Sequence, residues 1–302
     1  MKALLIFLLI IGAADARKRF TPEYFVKKHD LVLPVATREL LDVSKHTYKI
    51  NAWEYFYIGK SDKLDSVYNY KDLLTYTVNE DFRKYSYKGD TVIYRSISIA
   101  QNNGDTLTND IIKRTDNYLT EIFLSLKDSC CYYRAFQPWA NKRIYNKSKC
   151  RGEAEPTGQE FVFTEHEEYI EDIEYNKGKI DSTNIRRYYF NVFDSLVADY
   201  MVRPGSEPLL VDLRFYNKNH LQTMQYSFGI SVAQFQVTDF QKFTYTPANK
   251  LHRIYLFSAL DYAAPEKGYE LTNYTEYEYD NLGRLVRMTT RVPPDPKYQK
   301  KR

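Results

Sequence analysis

From about Tyr48 onward the chain runs in short stretches rich in Tyr, Phe, Val, Ile and Thr, broken by Asn, Asp and Gly, which is the texture of strands joined by tight turns. Leu209, Val211, Leu213 and Phe215 alternate with other residues, as do Tyr226, Phe228, Ile230 and Val232. Side chains along a strand point alternately to its two faces, so each series predicts one buried face. The fold class expected is mainly β: a meandering antiparallel sheet of repeated β-hairpins. Ahead of it, Thr21-Pro22-Glu23 sets a capping hydroxyl before a Pro at the first helical position, and 38–45 carries Leu40, Leu41 and Val43 among polar residues. Both features predict short N-terminal helices.

The start of the chain has another texture. Lys2 precedes an apolar run from Ala3 to Ala14, and Ala14-Asp15-Ala16 suits signal-peptidase cleavage before Arg17. The run falls short of the roughly 20 apolar residues that cross a bilayer, so release is expected and not a stable membrane span. The expected organisation is a signal peptide over 1–16, a helical segment over 17–47, a β-rich repeat domain over 48–291 and a basic mobile tail over 292–302. That tail holds Lys297, Lys300, Lys301 and Arg302 after Pro293-Pro294-Asp295-Pro296.

Gly and Pro number only 11 each, so many turns must rest on Asn and Asp, which tolerate positive φ best after Gly. Tyr279-Asp280-Asn281-Leu282-Gly283-Arg284-Leu285 reads as strand, turn with a left-handed Gly283, and strand. Phe215 to Leu221 aligns with it, placing Asn219 at the left-handed position, and Tyr245 to Leu251 places Asn249 there. Tyr175 to Ile180 matches the last six positions through Gly178, and Asp62-Lys63-Leu64 is a fainter fifth copy. A type I turn followed by a left-handed residue explains the shared spacing, with Asp or Asn at the entry capping backbone amides.

Tyr277-Glu278-Tyr279-Asp280-Asn281-Leu282-Gly283-Arg284-Leu285 resembles the core of the rearrangement-hotspot, or YD, repeat. Tyr277, Tyr279, Asp280, Gly283, Arg284 and Leu285 fill all six of its defining places. The match is sharp over this unit and degenerate in the other copies. The resemblance implies hairpins that extend a spiralling sheet in exported bacterial proteins at the cell surface, in the periplasm or outside the cell. It also implies too few repeats here to close a shell.

Composition narrows the chemistry. Lys and Arg total 43 against 39 Asp and Glu, a formal charge of +4, too weak and dispersed to point to nucleic acid. In an oxidising compartment Cys150 is expected to pair with Cys130 or Cys131, leaving one thiol over. The densest chemical candidate is 165–174, where Glu165, Glu167 and His166 could serve a hydrolase as acid, base and imidazole if the two carboxylates shared one strand face. A charged sheet edge is the alternative. The five His are scattered, no nucleophile elbow or phosphate loop occurs, and neither cofactor nor metal is implied. The chain has 29 Tyr, and an exposed aromatic row including Trp53, Tyr55, Tyr57, Trp139 and Tyr188 would stack on sugar rings or a partner chain. The leading expectation is therefore an exported, non-catalytic envelope or extracellular protein that binds a glycan or surface protein. A secreted glycosidase-like hydrolase and an accessory or carrier of a secretion system are the alternatives.

Overall fold

The computed structural model describes residues 18–45, 48–59, 63–73, 77–88, 91–100, 106–115, 119–125, 130–137, 143–149, 157–176, 179–231 and 234–292. Residues 1–17, Trp139, Cys150, Gly178 and 293–302 lie outside them, and with these so do the expected signal peptide, basic tail and disulfide.

The described chain opens with one helix, α1 (Pro22–Lys28), followed by strands β1 (Lys49–Ile58), β2 (Leu64–Leu73), β3 (Thr77–Lys88), β4 (Thr91–Ala100), β5 (Thr106–Thr115) and β6 (Leu119–Ser125). Then come β7 (Cys130–Gln137), β8 (Arg143–Lys149), β9 (Thr157–Glu165), β10 (Ile170–Asn176), β11 (Lys179–Phe190) and β12 (Leu196–Val202). The last six are β13 (Leu209–Tyr216), β14 (Gln222–Ser231), β15 (Gln234–Tyr245), β16 (Leu251–Ala259), β17 (Tyr269–Tyr279) and β18 (Leu285–Val292). Every strand pairs antiparallel with its neighbours in sequence, and β18 also pairs with β1, so the ladder of 18 strands closes on itself. The mainly β, antiparallel expectation holds, and closure adds to it: both edges of every described strand are paired, which leaves no free edge among them to be blunted.

Five hairpin loops share one geometry. In each, a pair closes over five residues: Ile58 with Leu64, Phe190 with Leu196, Tyr216 with Gln222, Tyr245 with Leu251, and Tyr279 with Leu285. The register shifts at that closing pair every time, one extra residue lying on the returning strand. Asp194, His220, Asn249 and Gly283 take positive φ values of 57°, 61°, 58° and 74°. At the turn entry Asn191, Asn217 and Asp280 each accept two backbone amides on one side-chain oxygen, and Thr246 accepts one. Two sequence assignments change. The left-handed residue of the 217–221 loop is His220, not Asn219, because Asn217 is the cap; and the loop 191–195, with Asn for Asp and Asp for Gly, is a copy the sequence pattern had missed. The 175–180 match is no such loop, since Asn176 pairs directly with Lys179.

Tyrosines lock adjacent hairpins in register. Tyr216, Tyr245 and Tyr279 each end an outgoing strand, and their hydroxyls donate to the carbonyls of Leu196, Gln222 and Leu251, the first residues of the preceding return strands, at 2.7, 2.7 and 3.0 Å. The aromatic residue before each cap is thus spent on the neighbouring backbone.

The core lies where residues 18–45 and Tyr48 pack on one face of β11–β17. An unbroken cross-strand row runs Tyr189, Ala198, Leu213, Tyr226, Phe240, Phe257 and Leu271. Phe20 and Phe25 pack onto its β11–β12 end, with Phe25 fully buried 5.3 Å from the Tyr189 ring and 5.9 Å from Tyr200. The Phe20 amide donates to the Phe190 carbonyl at 3.0 Å, and the Tyr226 hydroxyl donates to the Pro34 carbonyl at 3.0 Å. Removing such rings from water contributes about 2–3 kcal/mol each.

Only part of the predicted helical segment forms. The Thr21 hydroxyl makes no cap bond, and 38–45 gives a hydrogen-bonded turn, with the Leu41 amide donating to the Thr37 carbonyl at 3.1 Å, and one 3-10 turn, Val43–Lys45. There the Asp42 carboxylate accepts from both the amide and the hydroxyl of Ser44, a local bond that competes with helix propagation. The predicted alternation on β13 also shifts. Val211 is the extra residue opposite Asp199 and Tyr200, so the buried positions are Leu210 and Leu213, not Leu209, Val211, Leu213 and Phe215 together. On β14 Tyr226 and Phe228 are buried as expected.

Candidate functional site

The opposite face of the same strands carries a polar row one residue out of step with the aromatic one: Tyr188, Asp199, Asp212, Ser227, Asp239, Ser258 and Glu270. Asp199 and Asp212 stand directly opposed, a like-charge pairing that costs stability unless each is compensated. Arg186 supplies two donors to Asp199, Nε at 2.9 Å and Nη2 closer. Ser227 Oγ and Gln225 Nε2 donate to Asp212 at 2.7 and 3.3 Å, and Ser258 Oγ donates to Asp239 at 2.6 Å. Burial pushes the Asp199 carboxyl up, opposed by the Arg186 guanidinium.

Asp172 and Glu174 extend this face onto β10. They are 9% and 5% exposed, and Asp172 Oδ1 and Glu174 Oε1 are buried with no hydrogen-bond partner. The Tyr188 hydroxyl donates to Asp172 Oδ2 at 3.3 Å. Burial raises the Asp172 carboxyl to about 6, against the pull of the Tyr188 hydrogen bond and of Arg186. Burial and then the Asp172 charge push the Tyr188 phenol well up. A carboxyl that exchanges its proton near neutrality beside a phenol that stays protonated is the site's one acid–base element. No group of three His, Cys, Asp or Glu side chains among the described residues is arranged to hold a metal ion.

The strand face on which Glu165 and Glu167 were expected to stand together does not form. Glu165 ends β9, and 166–169 is a turn closed by the His166 amide donating to the Tyr169 carbonyl at 2.8 Å. Glu167 therefore lies in the turn and shares no strand face with Glu165, because β9 stops before it can. His166 packs on Tyr169 and lies 3.9 Å from Glu171, which itself takes Arg187 at 3.0 Å. The functional-looking acids are Asp172 and Glu174, inside the run singled out from the sequence. Their signal was the spacing Ile170, Asp172, Glu174 on one face and Glu171, Ile173, Tyr175 on the other.

The expected aromatic surface is divided. Tyr57 is 52% exposed, Tyr55 is half-buried beneath the Arg287 guanidinium at 5.3 Å, and Tyr188 belongs to the polar row. Trp53 pairs by backbone with Thr289 and Tyr70, and its side chain, like Trp139 as a whole, is outside the described residues.

The exposed regular feature is instead the rim of loops. The Phe193 ring packs on His220, Asn219 Nδ2 reaches Asn249 Oδ1 at 3.4 Å, and Lys250 Nζ donates to the Gly283 carbonyl. Loops 191–195, 217–221, 246–250 and 280–284 thus form one continuous row, from which Val192, Phe193 and Leu282 project into solvent. Same-end loops of an antiparallel sheet repeat every two strands, about 10 Å.

Charges lie on both faces, Glu171, Arg187, Arg253, Glu276 and Arg291 on one, Asp172, Arg186 and Asp199 on the other. No helix among the described residues is long and apolar enough to cross a membrane. No protein-family model matches the chain, and no curated protein is similar to it.

Proposed function

We propose that the protein is an exported, non-catalytic scaffold of β-hairpins that binds a glycan or protein of the cell envelope through its rim of loops. The observation that carries this is the row of four like loops in mutual contact, with exposed Phe193 and Leu282 standing on rigid, side-chain-capped turns. A partner meeting such a row finds recurring contacts at fixed spacing with little conformational entropy left to lose. Of the aromatic residues first favoured for this role, Tyr57 is exposed, Tyr55 is half-buried beneath Arg287 and Tyr188 belongs to the polar row, so the rim of loops is the better supported surface. The resemblance of 277–285 to the YD repeat and the leader-like 1–16 support placement in the envelope or outside the cell.

The test is co-sedimentation of residues 17–302 with envelope polysaccharide, peptidoglycan and whole envelope at low and high salt, for the wild type and a Phe193→Ser/Leu282→Ser variant. Salt-resistant pelleting of the wild type, lost in the variant with an unchanged melting curve, is expected. Equal pelleting of the two proteins would discard the rim, and no pelleting at either salt would discard the envelope partner.

A further inference from the structure

Within the rim, a cavity of about 260 Å3 lies between loops 191–195 and 217–221 and the segment leading into α1. The bond from the Phe20 amide to the Phe190 carbonyl and the Arg19–Asp194 ion pair hold that segment beside the first loop. The cavity is smaller than the roughly 300–1,000 Å3 usual for drug-sized ligands, so it has room for one ring and not for a chain. Phe193 and His220 line it with ring centroids 3.5 Å apart, a composite aromatic wall, and the buried Phe20 and half-buried Phe215 add to the apolar lining.

Asn191 and Asn217 supply the polar part of the wall. The Oδ1 of each accepts two amides of its own loop, both at 2.9 Å for Asn191 and at 2.9 and 3.1 Å for Asn217, and the Nδ2 of neither has a partner among the described residues. A planar side-chain amide held by its oxygen has its N–H donors held as well. The Thr21 hydroxyl, which makes no cap bond, and the Glu23 carboxylate add acceptors. Arg19 and Glu23, the two formally charged residues of the wall, are opposite in sign, so the wall favours neither anion nor cation.

We propose that this cavity seats one pyranose ring of a neutral glycan. The apolar C–H face of the sugar would lie on Phe193 and His220, and its hydroxyls, each both donor and acceptor, would meet the Asn191 and Asn217 amides and the Glu23 carboxylate. This inference rests on the rim reading and commits it to a glycan in place of a protein.

Saturation-transfer NMR tests the assignment with methyl β-glucopyranoside, methyl β-galactopyranoside, methyl α-mannopyranoside and N-acetylglucosamine, against cyclohexanol as a ring of the same size with one hydroxyl. At least one of the sugars is expected to receive saturation, strongest at its ring C–H protons, and to bind about threefold or more tighter than cyclohexanol, which cannot use both amides. His220→Gly should weaken that sugar about fivefold by removing half of the aromatic wall. It should leave the melting curve in place, because Gly accepts the positive φ of 61° at this position. Thr21→Trp, at an exposed position of the wall, should abolish sugar binding by filling the cavity. No transfer to any of the sugars, cyclohexanol bound as tightly as they are, or a sugar affinity unmoved in both variants overturns the proposal. If no sugar binds while wild-type pelleting is still lost in Phe193→Ser/Leu282→Ser, the pyranose site falls and the rim stands with a protein partner. If a sugar binds and nothing pellets, the site stands and its envelope setting falls.

Discussion

The two faces of β11–β17 are built from the same strands and pair through the same registers, yet they are stabilised in different ways. One face is an aromatic row closed by residues 18–45 and Tyr48, so its energy comes from apolar area removed from water. The other is a row of Asp, Ser and Tyr in which opposed carboxylates are tolerated only because Arg186, Gln225, Ser227 and Ser258 donate to them. The first face tolerates little change of volume, and the second little change of charge. Among the buried polar atoms without a partner, those of Asp172 and Glu174 extend the second face onto β10, beyond the aromatic cover. Stability and candidate chemistry have been assigned to opposite sides of one sheet.

The sharpest way to break that division is Phe25→Ala. Deleting a fully buried ring should cost about 3–5 kcal/mol in urea denaturation and expose 18–45 to proteolysis; a loss under about 1 kcal/mol would mean the cover contributes little. Next comes Asp199→Ala, which strands Arg186 and should cost on the order of 3 kcal/mol, while Arg186→Met/Asp199→Leu should recover most of it.

Asp172→Asn should act in the opposite direction. The carboxyl titrates near 6 in the fold and near 3.8 when unfolded, so the native state binds the extra proton between these values and stability falls as pH rises from about 4 to about 6. Its contribution is fully present below 3.8 and lost above 6. The substitution should therefore stabilise by about 2 kcal/mol at pH 7.5, with no gain from losing this carboxyl at pH 3.5, as denaturation at the two pH values would report. A gain that is the same at both pH values would detach Asp172 from the polar row.

The smallest effects test the loops where the faces meet. Tyr216→Phe, Tyr245→Phe and Tyr279→Phe should each cost about 1 kcal/mol, since each leaves a neighbouring carbonyl without its donor. Asn191→Ala should lose about 0.5–1 kcal/mol if the 191–195 loop works as its relatives do. Unequal Tyr→Phe losses would show that the hairpins are not equivalent.

Much of the turn chemistry was legible locally. Gly283 and Asn249 were recognisable because few residues accept positive φ, and Asp280 because a cap must present an acceptor. His220 was not, because Asn217 and Asn219 competed for one role and only the hydrogen bonds say which is the cap. The acidic run was conspicuous, but the strand expected to carry Glu165 and Glu167 on one face ends at Glu165. A strand's last residue depends on its partner's register, and that register is a tertiary quantity.

By itself the sequence determined the strand-and-turn texture, one N-terminal helix started by Pro22 and the capped, left-handed loops, since all of these follow from interactions within a few residues. The tertiary structure alone decided that β18 returns to β1 and that residues 18–45 cover the aromatic face. It also decided that Val211 is displaced from its expected position and that Asp172 and Glu174 are the acids taken out of water. Each of these depends on groups far apart in the chain, and a pattern of period two states which residues share a face without stating what that face will meet.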